Sequence, residues 1–193
     1  MESSVYERAA AWLRRNTQPQ PELPAAAPAP VDALQSLEDL ACQVAAALAR
    51  RFEGLYLVPY LCPAGVPSIG YGATYYQDGR AVTLRDPAIT REQAEALLLW
   101  MVRTVYLPAV RRLCPGVDDA HRLAALVDFA FNLGAGNLSA STLRKRVNAG
   151  RWADVPTELR KWVMAAGKRL RGLVLRREAE IAVLPPVGDV MNL

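Results

Sequence analysis

An acidic residue, Glu53, stands at the head of a stretch in which proton chemistry can be arranged. The next 24 residues carry no other carboxylate, and FEGLYLVPYLCPAGVPSIGYG, Phe52 to Gly72, is apolar, aromatic and punctuated by Pro and Gly. A carboxyl at the edge of such a surface loses water, and burial disfavours its charged form, so it can hold a proton near neutral pH. Taken alone, Glu53 reads equally as a helix-terminal surface acid. The spacing adds to it: Cys62 follows after eight residues and Ser68 after five more, with Ile69-Gly70-Tyr71-Gly72 closing the segment. That pattern fits a helix end leading into a small antiparallel hairpin.

The elements that must position this segment follow from periodicity. Asp32 reads as an N-cap with Gln35 three positions on, and Leu34, Leu37, Leu40, Ala41, Val44, Ala45 and Leu48 recur at helical steps toward Phe52. Leu55 to Leu61 and Val66 to Tyr71 pair as a hairpin turned at Cys62-Pro63-Ala64-Gly65, with a third strand expected near Ala81 to Leu84. Thr90-Arg91-Glu92-Gln93 is a capping box opening a helix to about Leu113, which Pro108 should kink or split. Asp118 or Asp119 caps the next helix, whose run from Leu123 to Phe131 leaves hardly any polar face and marks it as the buried central one. Further helices are expected from Ser141-Thr142 to Gly150, over about Ala153 to Met164, and from Arg171 to Leu184 before Pro185-Pro186. The class is α+β, mostly α, a helical lobe with a small antiparallel β-subdomain after its first helix.

Composition bounds the rest. The 193 residues are 52% hydrophobic and 22% charged, enough for one sizeable core. Residues 1–17 form a short amphipathic segment, with Val5, Ala9, Trp12 and Leu13 on one side. It reads as a tail docking on its own domain or as a tether. Residues 18–31 are a Pro/Ala-rich linker, 32–186 the folded domain and 187–193 a tail. Three cysteines, Cys42, Cys62 and Cys114, without a CxxC and beside a single histidine, His121, speak against a zinc site; one disulfide stays possible. His121 reads as a surface residue, and Trp100, Trp152 and Trp162, at helical spacings, read as core. The net charge of +4 is uneven: Ser141 to Glu178 carries +8 and the remainder −4, a lobe that would attract anionic polymer. No apolar run approaches a membrane span and no signal peptide is evident, so a cytoplasmic origin is expected.

With its Glu, eight residues, Cys, five residues, Ser, the segment resembles the phage-type lysozymes, glycoside hydrolase family 24, whose motif has Asp or Cys in second place and Thr in third. Similar blocks recur in FNLGAGNLSASTLRKRVNAG from Phe131 to Gly150, at Trp162, and in KRLRGLVLRREAE from Lys168 to Glu180. The resemblance implies hydrolysis of the β-1,4 bond between N-acetylmuramic acid and N-acetylglucosamine, with catalysis by Glu53, Cys62 and Ser68. Glu53 would be the general acid. Cys62 would orient or help activate the water, although an ordinary thiol is mostly neutral at pH 7 and stabilises charge less than a carboxylate does. Its other reading is a small buried hydrophobe or half of a disulfide. Ser68 keeps the hydroxyl of the usual Thr and loses its methyl, and two departures from the family pattern stand at Pro67 and Ala73.

Substrate contacts implied by the same resemblance are Asn132 and Gly134, with Ser141, Thr142 and Arg144 as candidates at a helix start; each also has a capping or packing reading. The expected partners are peptidoglycan and an anionic envelope surface met by the basic lobe, with no specific nucleic acid, no cofactor and a monomeric state. The organismal role implied is that of an endolysin, made in the host cytoplasm and reaching periplasmic peptidoglycan through a separate membrane lesion. A catalytically weak wall-binding or virion structural module is the alternative, supported by Ser68, Pro67 and Ala73.

Overall fold

The computed structural model describes residues 36–62 and 64–186. The readings of residues 1–17, of the linker, of an N-cap at Asp32 and of the C-terminal tail lie outside these residues. The first described helix, α1 (Leu37–Phe52), is instead capped by Ser36, whose Oγ accepts from the Asp39 N–H at 3.1 Å. Its buried face is built from small residues, Ala41, Cys42, Ala45, Ala46 and Ala49, which let it lie close along the central helix α4 (Ala120–Leu133). α4 opens with Asp119 accepting from the Arg122 N–H, and every residue from Leu123 to Ala130 is buried, the charged Asp128 included.

Chain leaving α1 forms the hairpin β1 (Tyr56–Leu61) and β2 (Pro67–Gly70), antiparallel with Tyr60 opposite Ser68 and Leu61 opposite Pro67. Pro67 is the first residue of its strand, where the missing donor does least harm. Gly70 has φ +64°, and a Cβ there would stand 3.3 Å from the Ala94 Cβ, so the hairpin seats on α2 (Arg91–Met101) through a position that only glycine suits. Ala73, buried completely, fills the space beneath. The expected third strand is reduced to single bridges, Ile69 with Ala73 and Tyr75 with Ala81. Its ladder ends because Asp86 captures both the N–H and the hydroxyl of Thr83 at 2.9 Å.

The capping box is present in full, with Thr90 and Gln93 exchanging side-chain and backbone bonds at 2.8 and 3.2 Å. Thr90→Ala is therefore expected to cost about 1 kcal/mol in chemical denaturation, and an unchanged midpoint would mean that the cap is idle. After Met101 the helix loosens into a π-helical stretch, Val102–Tyr106, and resumes as α3 (Leu107–Leu113) with Pro108 in its first turn. This is the expected split. Beyond α4 come α5 (Ala135–Ala140) and α6 (Thr142–Asn148).

The helix expected over Ala153 to Met164 is shorter. A 3-10 turn, Trp152–Asp154, leads into α7 (Val155–Leu159), and Met164–Ala165 (β3) pairs with Lys168–Arg169 (β4) around Ala166 and Gly167, both at positive φ. That two-residue reversal, which periodicity did not reveal, feeds the last helix, α8 (Arg171–Ala182), onto α1 and α4. His121 is exposed and the three tryptophans pack on the core, as read from the sequence.

Candidate active site

Glu53 is the C-cap of α1: its N–H bonds the Ala49 carbonyl at 2.9 Å while its own backbone is already extended, φ −92° and ψ 144°. A carboxylate at a helix C-terminus meets the wrong end of the helix dipole, so this position is held for something other than helix stability. What offsets it is a residue of α8. Arg176 Nη1 donates to Glu53 Oε1 at 2.5 Å, and the same guanidinium grips Asp128 of α4 through Nε and Nη2 at 2.9 and 2.7 Å. The expectation of an acid set against an apolar hairpin is thus corrected: the nearest partner of Glu53 is a cation. Burial alone would lower the pKa of Arg176, but Asp128 and then Glu53 more than reverse this and hold the guanidinium firmly charged.

Three helices therefore meet at one buried ion cluster, which continues inward. Arg177, fully buried, donates through Nη2 to Glu180 Oε1 at 2.6 Å and to Asn132 Oδ1 at 3.1 Å, and lies against the ring of Phe129. Burial pushes the Glu180 carboxyl well above the usual range, although Arg177 opposes the shift; the nearby Asp128 carboxylate adds to it. Tyr106, from the π-helical stretch, packs on Phe131; burial, with Glu53 adding to it, moves its phenol up to about 12. None of Asp128, Arg176, Arg177, Glu180 or Tyr106 was singled out from the sequence. One signal was available: Asp128 is the only charge between Leu123 and Leu133, and a charge amid such residues needs a buried partner.

Over the outer end of this cluster opens a cleft of about 390 Å³, lined by Phe52, Glu53, Asn132, Leu170, Arg171 and Arg176 with the first turn of α8. Glu53 and Asn132 are thus brought to one cavity. The other expected residues are placed differently. Ser68 is buried, with its hydroxyl donating to the Val66 carbonyl at 3.1 Å. Cys62 lies half-buried as a free thiol at the hairpin turn. Gly134, at φ +87°, ends α4 and lets the chain turn into α5. Ser141 caps α6, accepting from the Arg144 N–H at 3.0 Å and donating to the Leu138 carbonyl at 2.7 Å. Thr142 donates to Glu158, and Arg144 is half-buried behind them, so for Ser141 and Thr142 the structure favours the capping and packing reading. A smaller hollow of about 240 Å³ beside Arg112 and Ser139 contains none of these residues.

The basic lobe is also less available than its composition suggested. Arg146 and Arg151 pair with Asp154, Arg160 with Glu178 and Lys161 with Glu158, while Arg176 and Arg177 are interior. Lys168, Arg169 and Arg171, all exposed around the cleft end of α8, take none of the described ion pairs. Of the three free thiols, Cys42 and Cys114 are buried, and burial raises both, Cys114 to about 11. Iodoacetamide at pH 8 is accordingly expected to label Cys62 alone in the native protein. Peptide mass mapping that found Cys42 or Cys114 modified before unfolding would contradict this burial.

Comparison with known proteins agrees with this fold. The sequence matches the Phage lysozyme family over residues 50–180. It is 34% identical over 131 residues to the SAR-endolysin of Escherichia phage Mu, covering 68% of this chain and 72% of that one. To the endolysin of Acyrthosiphon pisum secondary endosymbiont phage 1 it is 35% identical over 140 residues, covering 70% and 91%. Among solved structures, the endolysin from Escherichia coli O157:H7 phage FAHEc1 superposes with a TM-score of 0.63 at 31% identity, over 79% of this chain and 93% of that one. With the helical lobe and the inserted hairpin in place, the family match over residues 50–180 and these relatives show that the chain belongs to the phage lysozyme family.

Proposed function

We propose that Glu53 is the proton donor of a peptidoglycan muramidase acting in host lysis. The enzyme class, a lysozyme-type glycoside hydrolase, follows from the family; the residue roles are inferred from the site. The observation that carries the proposal is the placing of Glu53, a carboxyl at the C-terminal end of α1, held by Arg176 and opening on a cleft of about 390 Å³. Arg176 occupies Oε1, and a guanidinium only donates, so a transferable proton belongs on Oε2, which takes none of the described protein hydrogen bonds. A glycan strand in the cleft excludes water around that atom. The proton then passes to the glycosidic oxygen as the bond to the sugar carbon breaks, and water completes the hydrolysis.

Cys62 and Ser68 remain candidates for ordering that water. For Ser68 the route is indirect, since its hydroxyl is engaged with the Val66 carbonyl and supports the hairpin turn that carries Cys62. Asn132, which lines the same cleft, would hold a sugar substituent. Among the described residues no helix is long and apolar enough to cross a membrane. Periplasmic peptidoglycan is the proposed target, reached after release. The relatives named endolysins support this reading, and the exposed Lys168, Arg169 and Arg171 suit an anionic wall.

Digestion of purified peptidoglycan tests the reaction. Borohydride reduction and mass spectrometry of the products should find new reducing N-acetylmuramic acid ends; ends on N-acetylglucosamine, or none, would refute it.

A further inference from the structure

The cleft that Glu53 lines also carries a carboxamide, that of Asn132, whose orientation is dictated from behind. Arg177 has no exposed side-chain surface, and its Nη2, which carries two N–H groups, donates to Glu180 Oε1 at 2.6 Å and to Asn132 Oδ1 at 3.1 Å. A guanidinium carries five donors and no acceptor, so the atom of Asn132 facing it must be the oxygen. A turned amide would set NH2 against N–H, donor against donor, and lose this bond at a guanidinium whose Nε and Nη1 already have no hydrogen-bond partner among the described residues. Arg177 cannot move aside to allow it, because leaving Asn132 means leaving Glu180, itself wholly buried, and the packing against Phe129. The Nδ2 of Asn132, with two N–H groups and no described protein partner, is the end left for the cleft.

We infer that Arg177 is a positioning residue that fixes Asn132 as a hydrogen-bond donor, so that the cleft selects the acetamido carbonyl of an N-acetylated sugar and rejects its de-N-acetylated counterpart. The inference rests on the muramidase reading. An acetamido group presents an acceptor oxygen to the waiting N–H groups. A free amino sugar presents an ammonium, donors against donors, beside Arg171 and Arg176 on the same cleft. An acceptor could also come from the stem peptide, and glycan strands stripped of stem peptides separate the two sources.

The experiment compares cleavage of such stripped strands, fully N-acetylated or chemically de-N-acetylated, by wild type, Asn132→Asp, Arg177→Lys and Glu53→Gln. Wild type should prefer the acetylated strand by about tenfold or more in kcat/KM, mainly through KM. Asn132→Asp turns the donor into an anionic acceptor and should bring the ratio to about one or invert it. Arg177→Lys keeps a cation beside Glu180 but loses the fork, and the ratio should fall while circular dichroism stays native. A purely structural role for Arg177 would lower cleavage of both strands alike and leave the ratio as in wild type. Glu53-dependent cleavage with the same ratio in wild type and Asn132→Asp would overturn the inference alone. An effect of Asn132 confined to strands bearing stem peptides would overturn it equally. No cleavage of either strand by wild type would overturn it together with the muramidase reading.

Discussion

Glu53→Gln should lose about a thousandfold in hydrolysis while folding as the wild type does. The amide has the shape of the acid and keeps a carbonyl oxygen for Arg176, which stays held by Asp128 through its other two donors. What the amide lacks is a proton acidic enough to give to a departing sugar oxygen. Removing a negative charge from the C-terminal end of α1 also relieves an unfavourable dipole contact, offsetting the weaker bond to Arg176. The melting temperature should therefore move by only about 2 °C. Turbidity loss of outer-membrane-permeabilised Gram-negative cells provides the measurement. Equal lysis by both proteins would remove Glu53 from the mechanism and leave disruption of the envelope by the exposed cations as its cause.

The second large effect is on stability. Arg176→Met leaves Asp128, whose side chain has no solvent exposure, without its bidentate partner. Breaking a buried pair from one side costs about 3–5 kcal/mol, or roughly 10 °C of melting temperature in a domain of this size. Activity should fall as well, since Glu53 loses the donor that fixes Oε1. The double variant Asp128→Leu/Arg176→Met separates the two consequences: a well-packed apolar pair removes the orphaned charge and should restore most of the melting temperature without restoring hydrolysis. A single variant that melts with the wild type would show that the cluster contributes nothing to stability.

Local chemistry was legible in the sequence. Thr90 and Gln93, the buried run of α4, the split at Pro108 and the turn around Gly65 each state their structure within a few residues. The position of Glu53 at the junction of helix and hairpin was legible for the same reason. What escaped was pairing at a distance. Asp128 meets Arg176 across 48 residues, and no periodicity encodes which of eleven cations between Ser141 and Glu178 will turn inward. Counting charges gave a basic lobe; geometry converted most of it into ion pairs and interior contacts. The shortened helix after Trp152 has a similar cause, because the reversal at Ala166 needs a positive φ that an alanine does not announce.

The bond between Glu53 and Arg176 joins residues 123 positions apart. On a translating ribosome adding about 5–20 residues per second, the acid emerges roughly 6–25 s before the arginine that seats it. Until α8 has left the exit tunnel and docked, the cleft lacks one wall and Asp128 has no counter-charge. A chain interrupted before that helix carries the acid but not the assembled site, so incomplete translation products should be inert as well as unstable.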